Sequence, residues 1–187
     1  RGYREVMPQP VRRGITNFME NYTYPRTIVN DLLQGKLADG GRDTLRLVFN
    51  TVGGLGFLDP ASRFGLTAND EDFGQTLGRW GVPIGSYLVL PVLGPSTLRD
   101  AVGRVPDEYT TGRHYVDDAY VRYGMAAVDV IDRRASLLDV EQVLAETFDE
   151  YAFVRNAWLQ RREYRVRDGD VPAEDFAPED DSSVSSP

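Results

Sequence analysis

From Val82 to Leu98 the chain carries no charge, and three prolines with two glycines break the run. Pro83, Pro91 and Pro95, together with Gly85 and Gly94, forbid a regular helix across it. Tyr87 to Leu90 suits a short extended piece, and the whole segment suits a hairpin-like loop. Such a run has three readings of equal weight. It is a core loop of a soluble domain, a partner-binding surface, or an element that enters a bilayer without spanning it. Irregular backbone is tolerated at membrane depth only where protein or a water-filled cavity satisfies its polar groups.

The flanking sequence is helical in pattern. Pro10 suits a first turn, with Val11, Ile15, Phe18 and Met19 at helical spacing up to Asn21. Tyr22 to Tyr24 reads as a break before Pro25. A short helix follows, carrying Ile28, Val29, Leu32 and Leu33 and closing at Gly35. The next helix covers Arg42 to Thr51, with Leu45, Leu47, Val48 and Phe49 on its apolar side. It stops at the glycines Gly53, Gly54 and Gly56. Asp59 with Pro60 marks a helix start, and Asn69 or Asp70 caps a helix from Glu71 to Arg79. Ser96 caps a short helix through Asp100, and Val105 to Gly112 is loop. Helices over Asp117–Asp132 and from about Asp139 to Arg165 follow. From Gly169 onward the chain is acidic and rich in Pro and Ser, the composition of a disordered tail.

Several function classes fall away. A net charge of −8 opposes nucleic acid as a partner. With no cysteine and one histidine, His114, thiol nucleophiles and multi-His metal sites are excluded within this span. No Walker loop or G-x-S-x-G elbow occurs. Gly53-Gly54-Leu55-Gly56 lacks dinucleotide spacing. Adjacent carboxylates such as Asp117/Asp118 read as caps or a solvated face. Arg161, Arg162, Arg165 and Arg167 read first as dipole complement and solubility, second as contacts to anionic headgroups. No cofactor is expected. No stretch approaches the ~20 apolar residues of a spanning helix. The chain opens on Arg1 without a signal peptide, so any leader or lipid anchor is expected upstream.

Ordered blocks of residues then carry a resemblance. They include Val6-Met7-Pro8-Gln9-Pro10-Val11-Arg12, Asn17-Phe18, Val29-Asn30-Asp31-Leu32-Leu33-Gln34-Gly35 and Phe49-Asn50-Thr51. The longest runs from Glu71-Asp72-Phe73-Gly74-Gln75-Thr76-Leu77-Gly78-Arg79-Trp80-Gly81-Val82 through Gly94-Pro95-Ser96-Thr97-Leu98-Arg99-Asp100. Over roughly Tyr3 to Val166 the chain resembles the MlaA (VacJ) family of outer-membrane lipoproteins. The family's lipobox cysteine and its N-terminal region rich in Asp, Pro and Phe have no counterpart in this span.

The resemblance implies an all-α fold: a ring-like arrangement of amphipathic helices with a short Gly/Pro hairpin, lying in the membrane plane. Residues 1–168 are then the helical domain, with its N-terminal part missing, and 169–187 the tail. It implies a lipid-anchored protein in the inner leaflet of the Gram-negative outer membrane. Phospholipid misplaced in the outer leaflet passes through an amphipathic channel to a periplasmic carrier, MlaC. A trimeric porin is the other expected partner, and no covalent chemistry is involved. The expected channel-lining or lid residues are Trp80, Gly81, Pro83, Gly85, Tyr87, Leu88, Leu90, Pro91, Leu93 and Gly94. The alternative role is a porin-associated scaffold; a phospholipase would need a nucleophile–base pair that the sequence does not offer.

Overall fold

A computed structural model describes residue 3 and residues 6–91, 93–136 and 148–170. Within them lie α1 (Gln9–Leu33), α2 (Leu37–Gly54), α3 (Phe73–Arg79), α4 (Leu98–Thr110), α5 (Ala119–Ser136) and α6 (Glu150–Val166). The strands β1 (Tyr87–Leu90) and β2 (Gly94–Thr97) form one antiparallel hairpin. Short 3-10 turns occupy Ala61–Phe64 and Gly112–Tyr115. The all-α expectation holds, with the hairpin where the Gly/Pro run predicts it.

Two prolines mislead the sequence reading in the same way. α1 is one helix of 25 residues that runs through Pro25, with no break at Tyr22–Tyr24. Tyr24, Thr27, Asn30 and Asp31 are buried on either side of the proline. Tyr24 donates to Asp43 Oδ1 of α2 at 3.2 Å. Tertiary bonds thus offset the ~3 kcal/mol that an interior proline costs. α4 likewise continues through Pro106 to Thr110, where a loop is expected. The carboxylate of Asp107, one residue on, accepts from Asn30 Nδ2 at 3.1 Å and Phe73 N at 3.0 Å, so the turn after the proline is held from outside.

Caps also shift. Asp72 caps α3 by accepting from Gln75 N, and Asn69 and Asp70 lie in the extended approach. Thr97 caps α4 by accepting from Asp100 N, displacing Ser96. α6 begins at Glu150 behind the cap Asp149, so Phe148 and Asp149 are not helical. The part of the expected helix at 137–147, and the tail at 171–187, lie outside the described residues. Gly169 is not yet tail: at φ 85° its N–H returns to Tyr164 O at 2.8 Å and closes α6.

α1 and α2 form an antiparallel helical hairpin around Gly35, which sits at φ 78°. α3 and α4 pack more tightly still. A Cβ on Gly103 would lie 2.6 Å from Gly74 N, and one on Gly74 would lie 2.3 Å from Asp100 Oδ1. Only glycine permits that approach.

Burial is inverted. The only buried hydrophobic residues described are Tyr24 and Ala61. Beneath the surface lie Asn30, Asp31, Asp43, Arg46, Gln75, Arg99, Asp100 and Arg162, while Leu32, Leu45, Val48, Phe49, Val52, Val102 and Val105 point outward. α1, α2, α3 and α4 bury polar faces, and α6 buries Arg162.

Gly103→Ala is expected to destabilise the protein by about 1–3 kcal/mol, because backbone must move. Gly41→Ala, with nothing within 4 Å of the added carbon, should stabilise by ~0.5–1 kcal/mol. Urea unfolding in mild detergent, followed by circular dichroism, reads both.

Candidate functional site

The hairpin pairs Tyr87 with Thr97, Leu88 with Ser96, Val89 with Pro95 and Leu90 with Gly94. Pro91 and Leu93 stand at its tip, and Gly94 at φ 77° allows the return. Gly81 and Gly85, at φ 87° and 70°, turn the approach. Gly85 also has no room for a side chain, since a Cβ there would lie 3.0 Å from Leu98 Cβ.

The expected residues fall into different settings. Trp80 follows α3, exposed, with its Nε1 donating to Leu33 O at 3.2 Å and its ring edge-on to Phe73. Pro83 is exposed, while Leu88 and Leu90 are half-buried. Tyr87 packs edge-on against Tyr151 and Trp158 of α6, at 6.0 Å each. Pro91 and Leu93 at the tip are open, and so is Val89, which the sequence reading leaves out. The base is fixed: Ser96 and Thr97 are fully buried, and Leu98 N donates to Ser86 O at 3.0 Å.

Under the hairpin lies an ion-pair network that the sequence reading misses. Arg162 stands apart from its neighbouring arginines. It is buried, donating from Nη1 to Asp72 Oδ2 at 2.7 Å and from Nη2 to Asp72 Oδ1 at 2.5 Å and Asp100 Oδ1 at 2.7 Å. Thr97 Oγ1 donates to Asp100 Oδ2 at 2.8 Å, which joins the hairpin to the network. Arg99 is buried beside it and reaches Val82 O at 3.3 Å. Burial alone would raise Asp72, but the bonds and charge of Arg162 outweigh it and hold the carboxyl at about 2.

A second network joins α1 to α2. Asp31 and Asp43 are both buried at the helix crossing. Asn69 Nδ2 donates to Asp31 Oδ1 and Tyr24 to Asp43 Oδ1. The remaining oxygen of each has no N–H or O–H donor among the described residues. Burial first, then the hydrogen bond and charge of Asp43, push Asp31 up to about 8. Nearby, Lys36 donates to Glu71 Oε1 at 3.0 Å, and Gln34 to Glu71 Oε2 at 2.8 Å. On α2, Arg46 is buried and bonds Asp59 and Ser62. An open groove of about 570 Å³ runs between the ends of α3 and α6, lined by Gly78, Arg79, Glu163, Val166, Arg167 and Asp170; no hairpin residue lines it.

These features define an all-α protein of inverted polarity, in which no described helix is long and apolar enough to cross a membrane. A family model described as MlaA lipoprotein matches residues 1–165. The intermembrane phospholipid transport system lipoprotein MlaA of Escherichia coli K12 is 34% identical over 173 residues, covering 90% of this chain and 68% of that protein. Its Haemophilus influenzae counterpart is 32% identical, covering 96% and 74%. A solved chain from work on the structural basis for maintenance of bacterial outer membrane lipid asymmetry superposes with a TM-score of 0.79 at 34% identity, covering 88% of this chain and 84% of that one. The chain belongs to the MlaA lipoprotein family.

Arg162→Leu strands the buried carboxylate of Asp100 and the half-buried one of Asp72 and should lower unfolding stability by about 3–5 kcal/mol in urea titrations. For Asp31 the sign is the reverse of the usual carboxylate. Its pKa in the folded protein lies above the unfolded value, so its stabilising contribution is full below about pH 4 and is lost as pH rises toward 8. Asp31→Asn mimics the protonated form. Its stability relative to the parent should rise across that window, by on the order of a few kcal/mol.

Proposed function

We propose that the protein moves phospholipid out of the outer leaflet of the Gram-negative outer membrane and releases it toward the periplasm, maintaining lipid asymmetry. The observation that carries this reading is the inverted burial: charged and amide side chains inside, aliphatic side chains outside. In water such an exterior is unfavourable at roughly 25 cal/mol per Å². Against acyl chains that penalty vanishes, and the interior ion pairs gain from the absence of water. Helices too polar to span, yet apolar on one face, lie in the plane of the interface. Membership of a family whose named relatives are phospholipid transport lipoproteins supports the same direction.

In this reading the helices form a ring in the periplasmic leaflet around an amphipathic channel, lipid-anchored in the full-length protein. The hairpin is its lid or wall. The tip residues Pro91 and Leu93, with Val89, offer an apolar surface to acyl chains, and Tyr87 anchors the base. A trimeric porin holds the ring and the soluble carrier MlaC receives the lipid. Transfer makes and breaks no covalent bond, so the reading needs neither nucleophile nor cofactor.

Leu93→Asp in the full-length protein tests it. A carboxylate opposes acyl contact by about 2.5–3.5 kcal/mol at hydrocarbon depth, which should cut transfer on the order of tenfold or more. Outer-leaflet phosphatidylethanolamine, labelled by a membrane-impermeant amine reagent, should rise to the level of a deletion strain while porin co-purification persists. Unchanged labelling with a folded variant overturns the lid role. Loss of porin together with unchanged labelling favours a scaffold.

A further inference from the structure

The exposed large hydrophobic side chains are not scattered uniformly. On residues 45–58 they are Leu45, Val48, Phe49, Val52, Leu55 and Leu58, joined by Phe57. The one charged residue of that segment, Arg46, is buried and bonded to Asp59. This face presents neither charge nor a tyrosine hydroxyl.

The corner between α4 and α5 is different in kind. Tyr109, Tyr115, Tyr120 and Tyr123 are all exposed, Tyr120 to 90%; Val121 is the one large aliphatic exposed within residues 109–123, with Val105 exposed one turn before Tyr109. Tyr109 and Tyr115 flank His114 with ring centroids 4.7 and 5.3 Å away. Tyr120 and Tyr123 share a face of α5 by their spacing of three. Asp117, Asp118 and Arg122 stand among the tyrosines, with Arg122 over the ring of Tyr123. Charges interleaved at this density exclude the corner from hydrocarbon. Exposed rings with polar tips are equally poor partners for bulk water alone. Tyrosine's apolar body and hydroxyl tip fit the boundary where headgroups meet acyl chains.

We propose that the Tyr109–Tyr123 corner is an interfacial anchor seated at headgroup level, setting the depth at which the outward face of residues 45–58 meets hydrocarbon. This rests on the membrane reading above and adds to it the orientation of the protein across the leaflet. The occupant of the corner is the lipid headgroup layer.

The chain has no cysteine, so one introduced thiol is a unique label. Val52→Cys and Tyr120→Cys both fall at exposed positions and disturb no packing. Each is labelled with an environment-sensitive fluorophore, and the full chain is reconstituted into vesicles of phosphatidylethanolamine and phosphatidylglycerol. Nitroxide quenchers are carried on the headgroup or midway along the acyl chain. The Tyr120 probe should be quenched about twofold more by the headgroup nitroxide, and the Val52 probe more by the acyl-chain nitroxide. If Val52 is quenched and Tyr120 is not, the corner faces water or protein and the anchor is overturned while the membrane reading stands. Equal, deep quenching at both sites overturns the anchor as well. If neither probe is quenched, the membrane reading itself fails and takes the anchor with it.

Discussion

The guanidinium of Arg162 enters from α6 between two carboxylates, each placed at the start of a different helix. Asp72 caps α3, and Asp100 lies in the first turn of α4. Negative charge at a helix N-terminus is already favoured by the dipole. Both carboxylates therefore have a local electrostatic reason for their positions before Arg162 arrives. Their convergence on one cation then fixes the mutual placement of three helices. The bidentate geometry at Asp72 adds direction that a lysine could not supply. Gly74 and Gly103 are the steric counterpart: without their missing side chains the two N-termini could not come close enough to share the arginine.

That arrangement matters more here than in a water-soluble domain. There, apolar burial drives collapse and polar pairs refine it. Here the aliphatic side chains are mostly outside, so burial of apolar area contributes little between helices. Helix association under these conditions relies on close packing at small residues and on polar bonds across the contact. Both devices are present at each main crossing. α1 meets α2 through Tyr24, Asp31 and Asp43 beside Gly40, and α3 meets α4 through the glycine pair. Removing either device leaves no hydrophobic core among the described residues to fall back on.

The same inversion explains what could be read from the sequence. On α2, Leu45, Val48, Phe49 and Val52 form one stripe, and Asp43, Arg46 and Asn50 another. Periodicity shows that two faces exist but carries no sign for which one is buried. The hairpin was legible because Pro and Gly act on the backbone locally. Pro25 and Pro106 misled for the complementary reason: their local penalty is outweighed by bonds from Asp43 and from Phe73 and Asn30, which are distant in sequence. Asp72 and Thr97 sat beside rival capping residues, and only the fold chose between them. Arg162 was hidden among four arginines within seven positions, and nothing local marks it as the buried one. The polar stripe on each helix was the signal that could have found the interior networks.

The hairpin is tied to this frame unevenly. Its base is held to α6 twice. Tyr87 packs against Tyr151 and Trp158, and Thr97 reaches Arg162 through the carboxylate of Asp100. The described tip residues show no comparable tie: Val89 and Leu93 are open, and a Cβ built on Gly94 meets nothing within 4 Å beyond its chain neighbours. A displacement of the tip therefore need not disturb the ion pairs, whereas a displacement of α6 would pull the base through both contacts. A shift of α6 thus has a direct mechanical route to the base of the hairpin.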